Sequence, residues 1–101
     1  MPLIYHVTTK ALWQSAIEQG FYESPSLKAE GFIHCSQKHQ VQGVLERYYK
    51  GAKELLLLAI DTELLTNHFV FEWSPSTQDT FPHIYGSVNL SAVSEVQSIA
   101  G

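Results

Sequence analysis

A chain of 101 residues with 45% hydrophobic and 16% charged positions suits one globular domain with its own core and is too short for two. A net charge of -4 offers little long-range attraction to a polyanion, which argues against extended nucleic-acid binding but leaves room for a small phosphorylated ligand held by local donors. No run approaches the roughly 20 apolar residues of a membrane helix, no signal-like segment opens the chain, and the single cysteine has no disulfide or thiolate-zinc partner, so a cytoplasmic protein is expected.

Leu3 to Thr8 is a β-branched and aromatic run bounded by Pro2 and Thr9-Lys10, which predicts a first strand with Ile4, His6 and Thr8 on one face and Tyr5 and Val7 on the other. From Lys10 to Gln19, Leu12, Trp13, Ala16 and Ile17 recur with the period of an amphipathic helix, with Thr9 as N-cap and Gly20 beyond its end. Phe21 to Glu30 has no sustained period and reads as a connection bordering a pocket, with one helical turn around Ser26 to Ala29. Phe32 to Cys35 predicts a strand. Ser36 then caps a helix from Gln37 to Tyr49, whose Val41, Val44, Leu45 and Tyr48 share a face.

Leu55 to Ile60 is apolar throughout, as a central strand covered on both faces would be. Asp61 to Leu65 predicts a capped helical turn. Phe69 to Trp73 predicts a strand with Phe69, Phe71 and Trp73 on one face and Val70 and Glu72 on the other. A polar loop, Ser74 to Thr80, leads to extended sequence from Phe81 to Tyr85, a turn at Asn89 to Val93 and a last strand, Val93 to Ile99. This order predicts an α+β domain, mostly sheet, with two packed helices.

His6, His34 and His83 each fall in a predicted strand beside a hydroxyl residue on the same face: Thr8, Ser36 and Tyr85 respectively. The repetition points to one shared polar pocket, although any one of these histidines taken alone reads equally well as a ring that satisfies a buried backbone group. His39, in the first turn of a helix, and His68, in a turn, read as solvated surface. Three imidazoles could hold a zinc ion, but they come from three strands with no His-x-His or His-x-x-x-His pair, so no intrinsic metal is expected. Cys35 faces the core, where a thiol stays protonated.

The strings Tyr5-His6, Glu30-Gly31-Phe32-Ile33-His34-Cys35-Ser36, Gln40-Val41, Leu57-Leu58-Ala59-Ile60-Asp61 and Phe81-Pro82-His83-Ile84-Tyr85-Gly86 together resemble a small bacterial family known only as domain of unknown function nine-fifty-two. That family is similar in fold to the ADP-ribosyltransferases, a small split and mostly antiparallel sheet that grips nicotinamide adenine dinucleotide (NAD). Tyr5-His6-Val7-Thr8 looks like their first-strand Tyr-His-Gly-Thr motif, and His34-Cys35-Ser36 looks like the His-x-Ser of the related RNA 2'-phosphotransferases. The resemblance implies that His6 and Thr8 contact the nicotinamide ribose and that His34 and Ser36 line the next wall. Val7 replaces the motif's glycine, the first strand carries no basic residue to hold a phosphate, and Glu72 is the candidate for the catalytic glutamate.

The expectation is thus a histidine-lined pocket for a nucleotide of the NAD type or another small polar ligand. In a transferase of ADP-ribosyl or phosphoryl groups, His34, His83 and Glu72 would be catalytic, while His6, Thr8, Ser36 and Tyr85 would bind the ligand. A non-catalytic binding module is the alternative, and a metal-dependent enzyme a third reading.

Overall fold

Thr9 both ends the first strand, β1 (Leu3–Thr9), and starts the first helix, α1 (Lys10–Gln19), because its Oγ1 accepts the Leu12 N–H at 3.1 Å. The computed structural model describes residues 2–99. After α1 come β2 (Phe21–Tyr22), α2 (Pro25–Glu30) and β3 (Ile33–His34), then a 3-10 turn (Lys38–Gln40) that runs into α3 (Val41–Tyr48). The second half is β4 (Leu55–Asp61), β5 (Phe69–Ser74), β6 (Asp79–Ile84), β7 (Val88–Asn89) and β8 (Val93–Ile99).

The strands pair antiparallel in three sheets, ordered β1-β4-β8, β2-β7 and β3-β6-β5. As its unbroken apolar run predicts, β4 is the centre of the first sheet, and Leu55, Leu56, Leu58, Ala59 and Ile60 are all buried. One face of β4 sends Leu58 and Ile60 into a cluster with Ile4 of β1 and Ala16 of α1. Its other face sends Leu55 and Leu57 toward Val7 and Leu45, with Val41 and Val44 of α3 packed alongside. Each face is therefore closed by one helix, and truncating a leucine at such a position typically costs about 2–5 kcal/mol.

The α+β class stands, but several boundaries differ from the expectation. The sheet is in three pieces, and the single helical turn expected around Ser26 to Ala29 is a third helix, α2 (Pro25–Glu30), capped by Gly31, whose φ of +93° suits a residue without a Cβ. Phe21–Tyr22 is a strand, paired with Val88 and Asn89; two residues are too few to show a period. The strand expected from Phe32 to Cys35 is reduced to Ile33–His34. Ser36 does not cap the next helix, because its backbone is engaged with Tyr5. Gln37 and Gln40 form the capping box instead, with the Gln37 N–H donating to Gln40 Oε1 at 2.8 Å. Asp61 to Leu65 is a hydrogen-bonded turn rather than a helical one, with Asp61 Oδ1 accepting the Glu63 N–H at 3.0 Å. Among the described residues no helix is long and apolar enough to cross a membrane.

Candidate functional site

The register of β3 on β6 sets Ile33 opposite Ile84 and His34 opposite His83. Alternation then sends both isoleucines into the core, fully buried, and both histidines to the other face, where their rings lie 5.2 Å apart in a T-shaped pair. Strand β1 joins this edge through a bridge just beyond β3: the Tyr5 N–H donates to the Ser36 carbonyl at 2.8 Å and the Ser36 N–H to the Tyr5 carbonyl at 2.7 Å. His6 follows Tyr5, so its ring reaches the His34 backbone. His6, His34 and His83 consequently line one cavity of about 680 Å³, together with Thr8 and Ser36. That volume falls in the range of small-molecule sites.

His6 is buried and both of its ring nitrogens are occupied. Nδ1 lies 2.6 Å from the His34 carbonyl oxygen, which can only accept, so Nδ1 carries the proton. Burial lowers the His6 pKa from 6.5 to about 4, against the opposing effect of that backbone hydrogen bond. The ring is therefore neutral near pH 7, and Nε2 accepts from the Tyr22 hydroxyl at 2.7 Å. Tyr22 has one proton to give, so its 2.8 Å contact with Thr8 Oγ1 is completed by the Thr8 hydroxyl donating to Tyr22. Burial also pushes the Tyr22 phenol pKa upward, and the phenol keeps its proton. The result is a closed chain from Thr8 through Tyr22 and His6 to the His34 backbone, joining β1, β2 and β3.

His83 is arranged differently. Its Nδ1–H donates to Glu72 Oε1 at 2.7 Å, and the Tyr85 hydroxyl donates to the same oxygen. These two donors, Tyr85 first, hold the Glu72 carboxyl below its usual range, and the same bond raises the Tyr85 phenol. Phe32 stacks on the His83 ring at 4.2 Å between centroids, with 17° between the planes. With Nδ1 given to a carboxylate, the neutral ring keeps its lone pair on Nε2. Glu72 and Tyr85 are not part of the cavity lining; they hold His83 from behind. His34 is also paired, with its Nε2 3.1 Å from Glu30 Oε2, but this contact is exposed.

Cys35 borders the cavity, yet its thiol is buried and burial drives its pKa up, so it remains protonated. His39 and His68 are exposed and do not line the cavity. Among the described residues no group of three His, Cys, Asp or Glu side chains is placed to hold a metal ion. Several lining residues had no part in the site expected from the sequence: Tyr22, Arg47, Tyr49 and Trp73. Arg47 had a detectable signal. It lies three residues after Val44 on the helix, which brings it to the margin of the apolar face. Tyr22 had none, since its role depends on a two-residue strand.

The chain belongs to a family of proteins of unknown function: the family model described as "Protein of unknown function (DUF952)" matches residues 7–96. Among solved structures, the chain is similar to the crystal structure of protein CC0527 from Caulobacter crescentus. The two are 34% identical over 96% of this chain and 85% of that one, with a TM-score of 0.87. The solution NMR structure of CC0527 is likewise 34% identical, over 99% of this chain and 86% of that one, with a TM-score of 0.83. Both are structural-genomics targets whose descriptions state no activity. No curated protein matches the chain.

Proposed function

We propose that the cavity binds a nucleotide or a related small polar ligand and that the Glu72–His83 pair transfers a proton in a group-transfer reaction on it. The observation that carries the reading is the setting of His83: Nδ1–H is bound to a carboxylate, the ring is stacked on Phe32, and the side chain borders the cavity. Nε2 is the atom left to exchange a proton with a ligand, and general acid–base catalysis of this kind typically contributes about 10²–10⁴ in rate. Glu72 stands outside the lining, which favours this role over direct stabilisation of an oxocarbenium-like ribose carbon by its charge.

The ADP-ribosyltransferase likeness belongs to the same reading. Two separate antiparallel sheets, β1-β4-β8 and β3-β6-β5, contribute walls to the cavity, and His6 and Thr8 of the Tyr5-His6-Val7-Thr8 motif lie on the lining. This supports NAD as the first candidate substrate. One observation favours the non-catalytic module: the polar atoms of His6 and Thr8 are bonded within the chain through Tyr22.

The test is incubation with NAD, with binding followed by amide chemical shifts and nicotinamide release by chromatography. Release abolished by His83→Asn, with binding retained, is the expected result. Binding without release in the unmodified protein supports the module, and absence of both removes NAD as the ligand.

A further inference from the structure

We infer that Arg47 determines the specificity of this cavity and that the ligand it selects is a phosphate ester, with a planar ring resting against Tyr48 and Trp73 at the mouth. The inference rests on the cavity being a ligand site, as proposed above, and not on proton transfer by His83.

The first argument is charge. Acidic residues outnumber Lys and Arg ten to six in the chain, yet among the described residues lining the cavity none is Asp or Glu and Arg47 is the one Lys or Arg. The carboxylates nearest the histidines, Glu30 and Glu72, are bonded to His34 and His83 and stand outside the lining. Arg47 makes no ion pair among the described residues. An arginine at a cavity free of lining carboxylates, in a chain of net negative charge, favours an anion there and nowhere else on that wall.

The second argument is the inventory of donors. Thr8, Tyr22 and His6 give their protons to one another and to the His34 carbonyl. Ser26 donates to the Phe32 carbonyl at 2.8 Å, so the 2.8 Å contact between the Ser24 and Ser26 hydroxyls takes the Ser24 proton. The hydroxyls of Thr8, Tyr22, Ser24 and Ser26 are thus already committed. The Arg47 guanidinium is not, and its planar fork matches two phosphate oxygens at once.

The third argument is the mouth of the cavity. Tyr48, from α3, is 64% exposed and Trp73, from β5, is 61% exposed, and both border the cavity. The Arg47 guanidinium carbon lies 5.8 Å from the centroid of the Tyr48 ring, a cation–π contact that places the charge beside the aromatic surface. An arginine beside one exposed aromatic ring, at a cavity that a second exposed ring also borders, offers a phosphate site near a stacking surface for a base.

The experiment is calorimetric titration of the full chain with ADP, adenosine and inorganic pyrophosphate, in the unmodified protein and in Arg47→Gln and Arg47→Lys. Arg47 is exposed on a helix and glutamine is a comparable helix former, so the variant should keep its fold, which circular dichroism checks. ADP should bind at least about tenfold more tightly than adenosine. Arg47→Gln should weaken ADP by about 10- to 100-fold and leave adenosine unchanged, while Arg47→Lys recovers part of the loss. Turnover, and not this titration, reads the proton-transfer proposal, so failure of that reading would leave this result intact. Equal affinity for ADP and adenosine, an equal loss of both in Arg47→Gln, or no binding of ADP and pyrophosphate would overturn the assignment.

Discussion

The Nδ1–H of His83 on β6 donates to Oε1 of Glu72 on β5 at 2.7 Å, although the two are not directly opposed in the ladder. Val70 is the cross-strand partner of His83 and Phe81 that of Glu72, so the pair is diagonal on a shared face, within reach of two long side chains. Glu72→Gln keeps the shape but removes the charge that accepts the Nδ1 proton and orients the ring. If the proposed reaction takes place, turnover should fall by about 10- to 1,000-fold at unchanged ligand affinity, as steady-state kinetics with NAD would show. A fall in affinity at unchanged turnover would place Glu72 in binding instead.

The neutral ring of His6 makes stability depend on pH in a defined window. Its pKa is about 4 folded against 6.5 unfolded, so between those values the unfolded chain takes up a proton that the folded ring refuses. The contribution is complete above pH 6.5, declines as pH falls, and is exhausted below about 4. The whole effect is about 3 kcal/mol at most. Urea midpoints measured from pH 7 to 4 should fall more steeply for the unmodified protein than for His6→Gln. Parallel curves would mean that His6 takes up its proton in the fold as readily as in the unfolded chain.

Tyr22→Phe should destabilise the protein by about 1–3 kcal/mol, because the ring still fills its buried site while Nε2 of His6 and the Thr8 hydroxyl both lose their partner. Urea denaturation at pH 7 measures this directly. A change below about 0.5 kcal/mol would show that water replaces the phenol there.

Gly86 sits at φ +151°, and a Cβ added there would approach Asn67 Cγ and Nδ2 to 2.6 Å. Asn67 cannot simply swing aside, since its Nδ2 donates to the Ser87 carbonyl at 2.8 Å and fixes the turn after β6. Gly86→Ala should therefore cost about 1–3 kcal/mol of stability, read from thermal or urea unfolding. Asn67→Ala combined with Gly86→Ala should be less than additive, because the 2.6 Å approaches to Cγ and Nδ2 go with the amide and only the 3.0 Å approach to the Asn67 Cβ is left.

Much of the fold was legible in the chain because it is written locally. The apolar run Leu55 to Ile60 has no polar alternation, which is what a strand covered on both faces requires, and α1 and α3 do cover it. Helix α1 shows its period and its Thr9 cap within a dozen residues. Phe21–Tyr22 is too short to show a period and only its partner makes it a strand, while the strand expected from Phe32 to Cys35 is present but shorter, as Ile33–His34.

The candidate site divides along the same line. Alternation alone places His6, His34 and His83 on strand faces beside hydroxyl residues, and the motif strings by themselves carry the family resemblance. Which faces meet was a tertiary decision: the β3–β6 register opposes His34 and His83, and the Tyr5–Ser36 bridge carries His6 to the His34 backbone. Hydrophobic period reports that a residue lies on a buried or exposed face, whereas hydrogen-bond partners depend on pairings between segments far apart in the chain. Glu72 was accordingly visible as a carboxylate on a strand, but its bond to His83, the closed circuit through Tyr22 and the turn of Arg47 toward the cavity exist only once those segments have packed.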